Sequence, residues 1–234
     1  GLKYRKKFCF AVIRENKFAI ALCLLLLVYL IYYTYSGVYM DGDTMTHWGV
    51  IVRSVCRDDR LPNFSNMEIG YQSYPPATAC WIYFLLKIFG YGEGKALFAQ
   101  GLWMLACAIS CFSFNKTKNK WGDILIASCI LFNLRWMDSL LVDVILALSA
   151  AAAAVGIYEF RHETKKQFMI LLPFMIVIPA IKNSGILFVF FLVICILLTC
   201  ESSQKTKWKL AGCSISLAGA SLFLWEAHIK MVYS

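Results

Sequence analysis

The fold is decided by residues 18–39, which read FAIALCLLLLVYLIYYTYSGVY. A helix needs about 20 mostly apolar residues to cross the ~30 Å hydrocarbon core of a bilayer, and this stretch contains no charged side chain. Its far end carries Tyr32, Tyr33 and Tyr35, and aromatic side chains of this kind favour the membrane interface. The stretch is therefore predicted to be the first transmembrane helix.

The rest of the chain is similarly apolar. Of its 234 residues, 60% are hydrophobic, and the mean hydropathy is +0.63, which is too high for a water-soluble globule of this length. Further apolar stretches lie at Ala77–Phe89, Ala96–Phe114, Ile124–Leu134, Leu140–Tyr158, Phe168–Ile181, Ile186–Cys200 and Leu210–His228. The predicted fold class is all-α, a polytopic transmembrane helical bundle that forms a single membrane domain over residues 1–234.

The distribution of basic residues predicts the orientation of this bundle. Basic side chains collect on the cytoplasmic side, and those that precede the first helix are Lys3, Arg5, Lys6, Lys7, Arg14 and Lys17. The prediction is a multi-pass cell-membrane protein with a cytoplasmic N-terminus and an outer loop at residues 39–76, and its short loops favour a bacterial membrane. The net charge of +9 then reflects topology and contact with anionic membrane lipids, so nucleic-acid binding is not expected.

The cysteine pattern favours free thiols over metal ligands. Most of the ten cysteines fall inside apolar stretches, where a thiol behaves as a small hydrophobe, and none shows zinc-site spacing. Only Cys56 and Cys80 could meet outside the membrane, and a disulfide between them is the less favoured alternative. The first apolar stretch lacks a small-residue cleavage site, so it is expected to remain as an anchor.

The outer loop concentrates ionisable side chains in an otherwise apolar chain. Asp41-Gly42-Asp43 opens the loop, and residues 44–57 have the mixed helical spacing of a short amphipathic helix on the membrane surface. Asp43 or Thr44 is expected to cap the N-terminus of that helix, which is the structural alternative to a chemical role for Asp43.

Prolines mark the return of the chain towards the membrane. Tyr74-Pro75-Pro76 precedes Ala77–Phe89, and proline is well tolerated in the first turn of a helix. Because this stretch is too short to cross a bilayer alone, a re-entrant or interfacial helix is predicted.

Two further polar sites lie at predicted outer ends of helices. Arg135 is followed by Asp138, and a pair between them is the structural interpretation, since an unpaired charge in lipid is costly. Lys182 interrupts a long apolar run, and a tight hairpin would also need polar residues there. The functional alternative is that Lys182 and Arg135 supply positive charge to an anionic group.

This order of motifs resembles the GT-C class of polytopic glycosyltransferases, most closely the bacterial relatives of the protein mannosyltransferase and aminoarabinose transferase families. The resemblance covers about Phe18 to Cys200 and includes the acidic opening of the outer loop, Tyr-Pro-Pro, and the Lys-x-x-Gly helix break at Lys182. It implies that the chain is the N-terminal part of a GT-C-like module, truncated at its C-terminus.

In that class a carboxylate at the exit of the first helix is the catalytic base, and the sugar arrives on a polyprenyl phosphate. The resemblance assigns the base to Asp43, with Asp41 as the alternative. The family often has Asp-Glu at this point, whereas this chain has Asp-Gly-Asp-Thr, so a divalent metal is left open and no metal ligand is assigned. Tyr74 is expected to shape the sugar pocket.

The chemistry of sugar transfer needs few protein groups. A carboxylate accepts the proton of the attacking hydroxyl, and cations stabilise the departing phosphate, roles that suit Asp43 and the pair Lys182 and Arg135. His47, four residues after Asp43, would share its helix face and orient it or contact phosphate, although a lone histidine at an interface is more often a packing residue.

The sequence thus predicts an inverting membrane glycosyltransferase that uses a lipid-linked sugar donor and a glycan, lipid or protein acceptor of the cell envelope. The alternatives are a transporter or permease subunit, for which charges at helix breaks are equally expected, and a catalytically inactive truncated relative.

Overall fold

A computed structural model of the chain describes residues 16–63, 69–70, 73–115 and 119–233, with the backbone alone at 133–136. These residues contain nine α-helices and no strand, which confirms the all-α prediction. The helices are α1 (Lys17–Thr34), α2 (Gly49–Asp58), α3 (Ala77–Phe89), α4 (Glu93–Ile109), α5 (Lys120–Leu134), α6 (Val142–Glu159), α7 (Thr164–Ile181), α8 (Gly185–Thr199) and α9 (Gln204–Tyr233).

Five of these helices are long and apolar enough to cross a membrane, which makes the chain a multi-pass membrane protein. They are α1, α4 with its 3₁₀ extension to Phe114, α6, α7 and α9. The predicted first span reaches Tyr39, but α1 ends earlier, at Thr34. The chain turns there because the Gly37 N–H donates to the Thr34 carbonyl at 3.0 Å.

Helices α7 and α8 form a hairpin, and both ends of this hairpin are fixed to the α6 helix or its exit. At one end the Glu201 N–H donates to the Arg161 carbonyl, at 2.9 Å. At the other end Lys182 forms an ion pair with Asp143 at the start of α6. We call the first of these the basic end of the bundle and the second the loop end.

The predicted helix break at Lys182 is present. Helix α7 ends at Ile181 and α8 begins at Gly185, with a tight turn between them. A side chain at Gly185 would overlap the Ile178 carbonyl, so glycine permits the close approach of the two helices at this turn.

Helices α2 and α3 form a layer at the loop end. Arg53 of α2 pairs with Glu93, the first residue of α4. Helix α3 runs beside the first half of α4, where the Trp81 indole N–H donates to the Ala99 carbonyl at 2.7 Å. It has 13 residues and ends four residues before Glu93, so it is too short to be counted among the five candidate spans; its re-entrant or interfacial placement stays a prediction.

The helix of the outer loop begins differently from the prediction. The Thr44 N–H donates to Asp41 Oδ1 at 3.0 Å, so Asp41 is the residue that caps this helix, through a π-helical turn at Thr44–Trp48 that leads into α2. Capping by Asp43 or Thr44 was therefore the wrong assignment. Asp43 makes no capping hydrogen bond because its backbone is already helical, and the Thr44 hydroxyl is engaged elsewhere.

Candidate functional site

The acidic segment, residues 41–48, is fastened to the turn between α5 and α6. The fully buried Thr44 hydroxyl accepts a hydrogen bond from the Leu140 N–H at 2.8 Å. On the other side of this turn, the buried Gln100 of α4 donates its amide to the Ser139 carbonyl at 3.1 Å. Side chains from two distant parts of the chain therefore fix one turn at the loop end.

The two candidate base residues have different surroundings. Asp41 is partly buried, with one carboxylate oxygen in the helix cap; within the described residues its other oxygen, Oδ2, is buried with no hydrogen-bond partner. Asp43 is exposed and lies on the first turn of the same helix. A general base must reach a hydroxyl that arrives from solution or membrane, so the exposed carboxylate is better placed for proton transfer.

His47 and Tyr74, both predicted to bind substrate, lie in one aromatic cluster with Trp48. The His47 ring meets Tyr74 edge-on at a centroid distance of 5.4 Å, and Trp48 stacks on Tyr74 at 5.7 Å. His47 is only 6% exposed. This packing holds the loop that carries Tyr74 against the acidic segment.

Burial lowers the pKa of His47 from its usual value, while the nearby Asp43 carboxylate acts in the opposite direction. Desolvation is the larger of the two effects, so the neutral imidazole is favoured.

Of the two cations predicted to bind phosphate, the structure describes the side chain of Lys182 but not that of Arg135. Lys182 Nζ lies 2.7 Å from Asp143 Oδ1, in an ion pair in which the lysine side chain is 25% exposed and the aspartate side chain 66% exposed. The Arg135 side chain lies outside the described residues, and so does its predicted pair with Asp138.

The ion pair and the acidic segment belong to the same end of the bundle. Asp143 follows Leu140 by three residues, which the backbone spans in at most about 10 Å. Since Leu140 is bonded to Thr44, the Lys182 ammonium group is linked to the acidic segment through one short stretch of chain. The candidate site therefore combines Asp43, Asp41, His47, Tyr74 and the Lys182–Asp143 pair.

Two supporting residues, Glu93 and Gln100, did not emerge from sequence reasoning, and Thr44 was expected only as a helix cap. Glu93 accepts the Tyr39 N–H at 2.8 Å and pairs with Arg53, so it anchors both the exit of α1 and the helix α2. Gln100 and Thr44 hold the turn at 139–141. In the sequence Glu93 and Gln100 are marked only as polar side chains next to or within an apolar run.

The described residues include no group of three or more His, Cys, Asp or Glu side chains arranged to hold a metal ion. Cys56 and Cys80 are free thiols and do not form a disulfide.

Comparison with known proteins gives no match: no protein family, curated protein or solved structure is significantly similar to this chain.

Proposed function

We propose that the chain is a membrane glycosyltransferase that moves a sugar from a polyprenyl-phosphate donor to a hydroxyl of a cell-envelope acceptor at the loop end. The observation that carries the proposal is the exposed Asp43 carboxylate. It precedes the buried His47 by four residues, on a segment fastened to the turn that leads to the Lys182–Asp143 pair.

In the proposed reaction Asp43 accepts the proton of the acceptor hydroxyl. The hydroxyl oxygen forms a bond with the anomeric carbon, and the bond between that carbon and the phosphate oxygen breaks. The polyprenyl phosphate leaves with the bonding electrons, and a single displacement of this kind inverts the anomeric centre. Removal of a general base usually slows such a step by about 10²–10⁴-fold.

Lys182 is the cation proposed to meet the departing phosphate. At rest its charge is balanced by Asp143, whose side chain is largely exposed. The phosphodiester of the donor carries one negative charge, as Asp143 does, and would compete with Asp143 for the ammonium group; a second negative charge develops on it as the bond to the sugar breaks. Charge development on the leaving group then strengthens this contact in the transition state.

The loop end is proposed to face the outside of the cell. The opposite end carries Arg161, Lys165, Lys166, Lys205 and Lys207, and the basic residues of short loops favour the cytoplasmic side. The donor and acceptor would accordingly be used on the extracytoplasmic face.

The test is sugar transfer by the full-length protein in membranes supplied with a radiolabelled polyprenyl-phosphate sugar. Asp43→Asn is expected to lose at least 100-fold in rate, about the lower bound for a general base. Asp59→Asn, which alters an exposed carboxylate of the same loop that pairs with Lys87, is the matched control and should retain activity.

Full activity of Asp43→Asn together with loss in Asp41→Asn would move the base to Asp41. Full activity in both variants would remove the catalytic assignment, as would the absence of transfer by the wild-type protein with every donor supplied.

A further inference from the structure

A groove of about 550 Å³ opens at the half of the bundle nearer the basic end, away from the candidate site. Its floor is α6, at Gly156, and its walls are α4 and α7, represented by Ala106 and Ile170. The volume falls in the roughly 300–1,000 Å³ range of small-molecule sites.

The walls of this groove belong to three helices that are each long and apolar enough to cross a membrane. Trp103 and Phe174 line one end of the groove, and Ser113 and Phe160 line the other end, nearer the basic end of the bundle. From residue 103 to residue 113 a helix rises about 15 Å, so the groove is elongated along the bundle axis. An elongated apolar groove inside the bilayer is suited to a hydrocarbon chain.

The end of the groove carries polar groups. The Ser113 hydroxyl oxygen is buried and has no hydrogen-bond partner among the described residues, so a ligand oxygen could satisfy it. The Glu159 carboxylate also lines this end and would keep an anionic group away from its own side.

The helical register places a cation on the opposite side of the same opening. Lys166, Ile170 and Phe174 are four residues apart and therefore lie on one face of α7, the face that lines the groove. Side chains on a helix tilt towards its N-terminus, so Lys166 extends beyond the groove towards the basic end. Its partner there is Glu163, at 2.6 Å, in an exposed pair of the kind that contributes little free energy and exchanges readily.

We propose that this groove binds one acyl chain of an anionic phospholipid, with the lipid phosphate at Lys166. The apolar walls hold the chain, and the Ser113 hydroxyl donates to an oxygen of the glycerol ester. The phosphate replaces Glu163 as the partner of Lys166. The site is separate from the proposed transferase chemistry at the loop end and does not depend on it.

The experiment uses native mass spectrometry of the full-length protein in neutral detergent. It measures how much phosphatidylglycerol and how much phosphatidylcholine the protein retains, the two lipids having identical acyl chains. Wild type is expected to retain one phosphatidylglycerol in preference to phosphatidylcholine. Ala106→Trp fills the groove from an exposed position and should lose this lipid. Ala147→Trp, at an exposed position of α6 outside the groove, is the control and should retain it.

Lys166→Gln tests the headgroup contact without changing the groove. It should lower phosphatidylglycerol retention about fivefold, the factor that corresponds to the ~1 kcal/mol contributed by one basic residue at an anionic membrane surface. Lys165→Gln, on a different face of α7, should have a smaller effect. Equal retention of the two lipids by wild type, or equal losses in Ala106→Trp and Ala147→Trp, would overturn the proposal. If Ala106→Trp fails to fold, the two lysine variants test the proposal: a larger loss of phosphatidylglycerol in Lys166→Gln than in Lys165→Gln supports it, and equal losses overturn it.

Discussion

Thr44 and Leu140 are joined by a buried hydrogen bond of 2.8 Å although 96 residues separate them in the chain. The bond fixes the height of the acidic segment relative to the start of α6. It also ties the segment that carries Asp43 to the start of α6, since Leu140 lies only three residues before Asp143. A contact between distant parts of the chain therefore holds the acidic segment at the end of the bundle that carries the Lys182–Asp143 pair.

Thr44→Val should lower the free energy of unfolding by about 1–3 kcal/mol, because the Leu140 N–H would remain buried without an acceptor. The measurement is unfolding by sodium dodecyl sulfate in mixed micelles. Thr46→Val is the control: its hydroxyl donates to the Gly42 carbonyl at an exposed position, and a change within about 0.5 kcal/mol is expected. Equal effects of the two substitutions would contradict the role assigned to Thr44.

The transmembrane helices and the break at Lys182 were predictable from sequence, since both follow from local patterns of apolar residues. The contacts of the site were not. The Thr44–Leu140 and Gln100–Ser139 hydrogen bonds join residues distant in sequence, and no periodicity identifies such partners. Composition indicated a capping residue near Asp43, but only the backbone conformation shows that Asp41 caps the helix.

Gly94→Ala should destabilise the bundle by about 1–3 kcal/mol, the usual cost of inserting a methyl group into a tightly packed contact. A Cβ atom at Gly94 would overlap the Thr34 carbonyl and approach the Gly37 backbone to 3.2 Å, so α1 and α4 would have to separate. Nothing lies within 4 Å of the Cβ position of Gly212 in α9, so Gly212→Ala should be neutral or stabilising by up to about 1 kcal/mol. Thermal unfolding in the same detergent compares the two, and a Gly94→Ala variant as stable as wild type would show that the helices are not in close contact there.

The burial of His47 predicts a pH dependence of stability. The folded protein holds the His47 pKa below its usual value near 6.5, whereas the unfolded chain exposes the ring to water. Between these two pKa values the unfolded chain binds more protons than the folded protein. The contribution of His47 to the free energy of unfolding is therefore complete above the pKa of the unfolded chain, and it is lost as the pH is lowered towards the pKa of the folded protein. His47→Phe keeps the aromatic contacts and should flatten this part of the profile of unfolding free energy against pH.

His162→Gln, which removes an exposed imidazole at the basic end, is the control for that experiment and should leave the His47 part of the profile in place. An unchanged profile in His47→Phe would assign the pH dependence to another group.

The Lys182–Asp143 pair allows a structural cation to be distinguished from a substrate-binding one. If Lys182 meets the donor phosphate, Lys182→Gln should lower kcat/KM for transfer by roughly 10–100-fold, the equivalent of a charge-assisted hydrogen bond of about 1.5–3 kcal/mol. Asp143→Asn removes the competing carboxylate and should leave kcat/KM unchanged or raise it. A purely structural ion pair would give the same loss in both variants, because either substitution breaks it. The partly exposed pair should contribute at most about 1 kcal/mol to stability, so both variants are expected to fold, and the ratio of their kcat/KM values decides between the two roles.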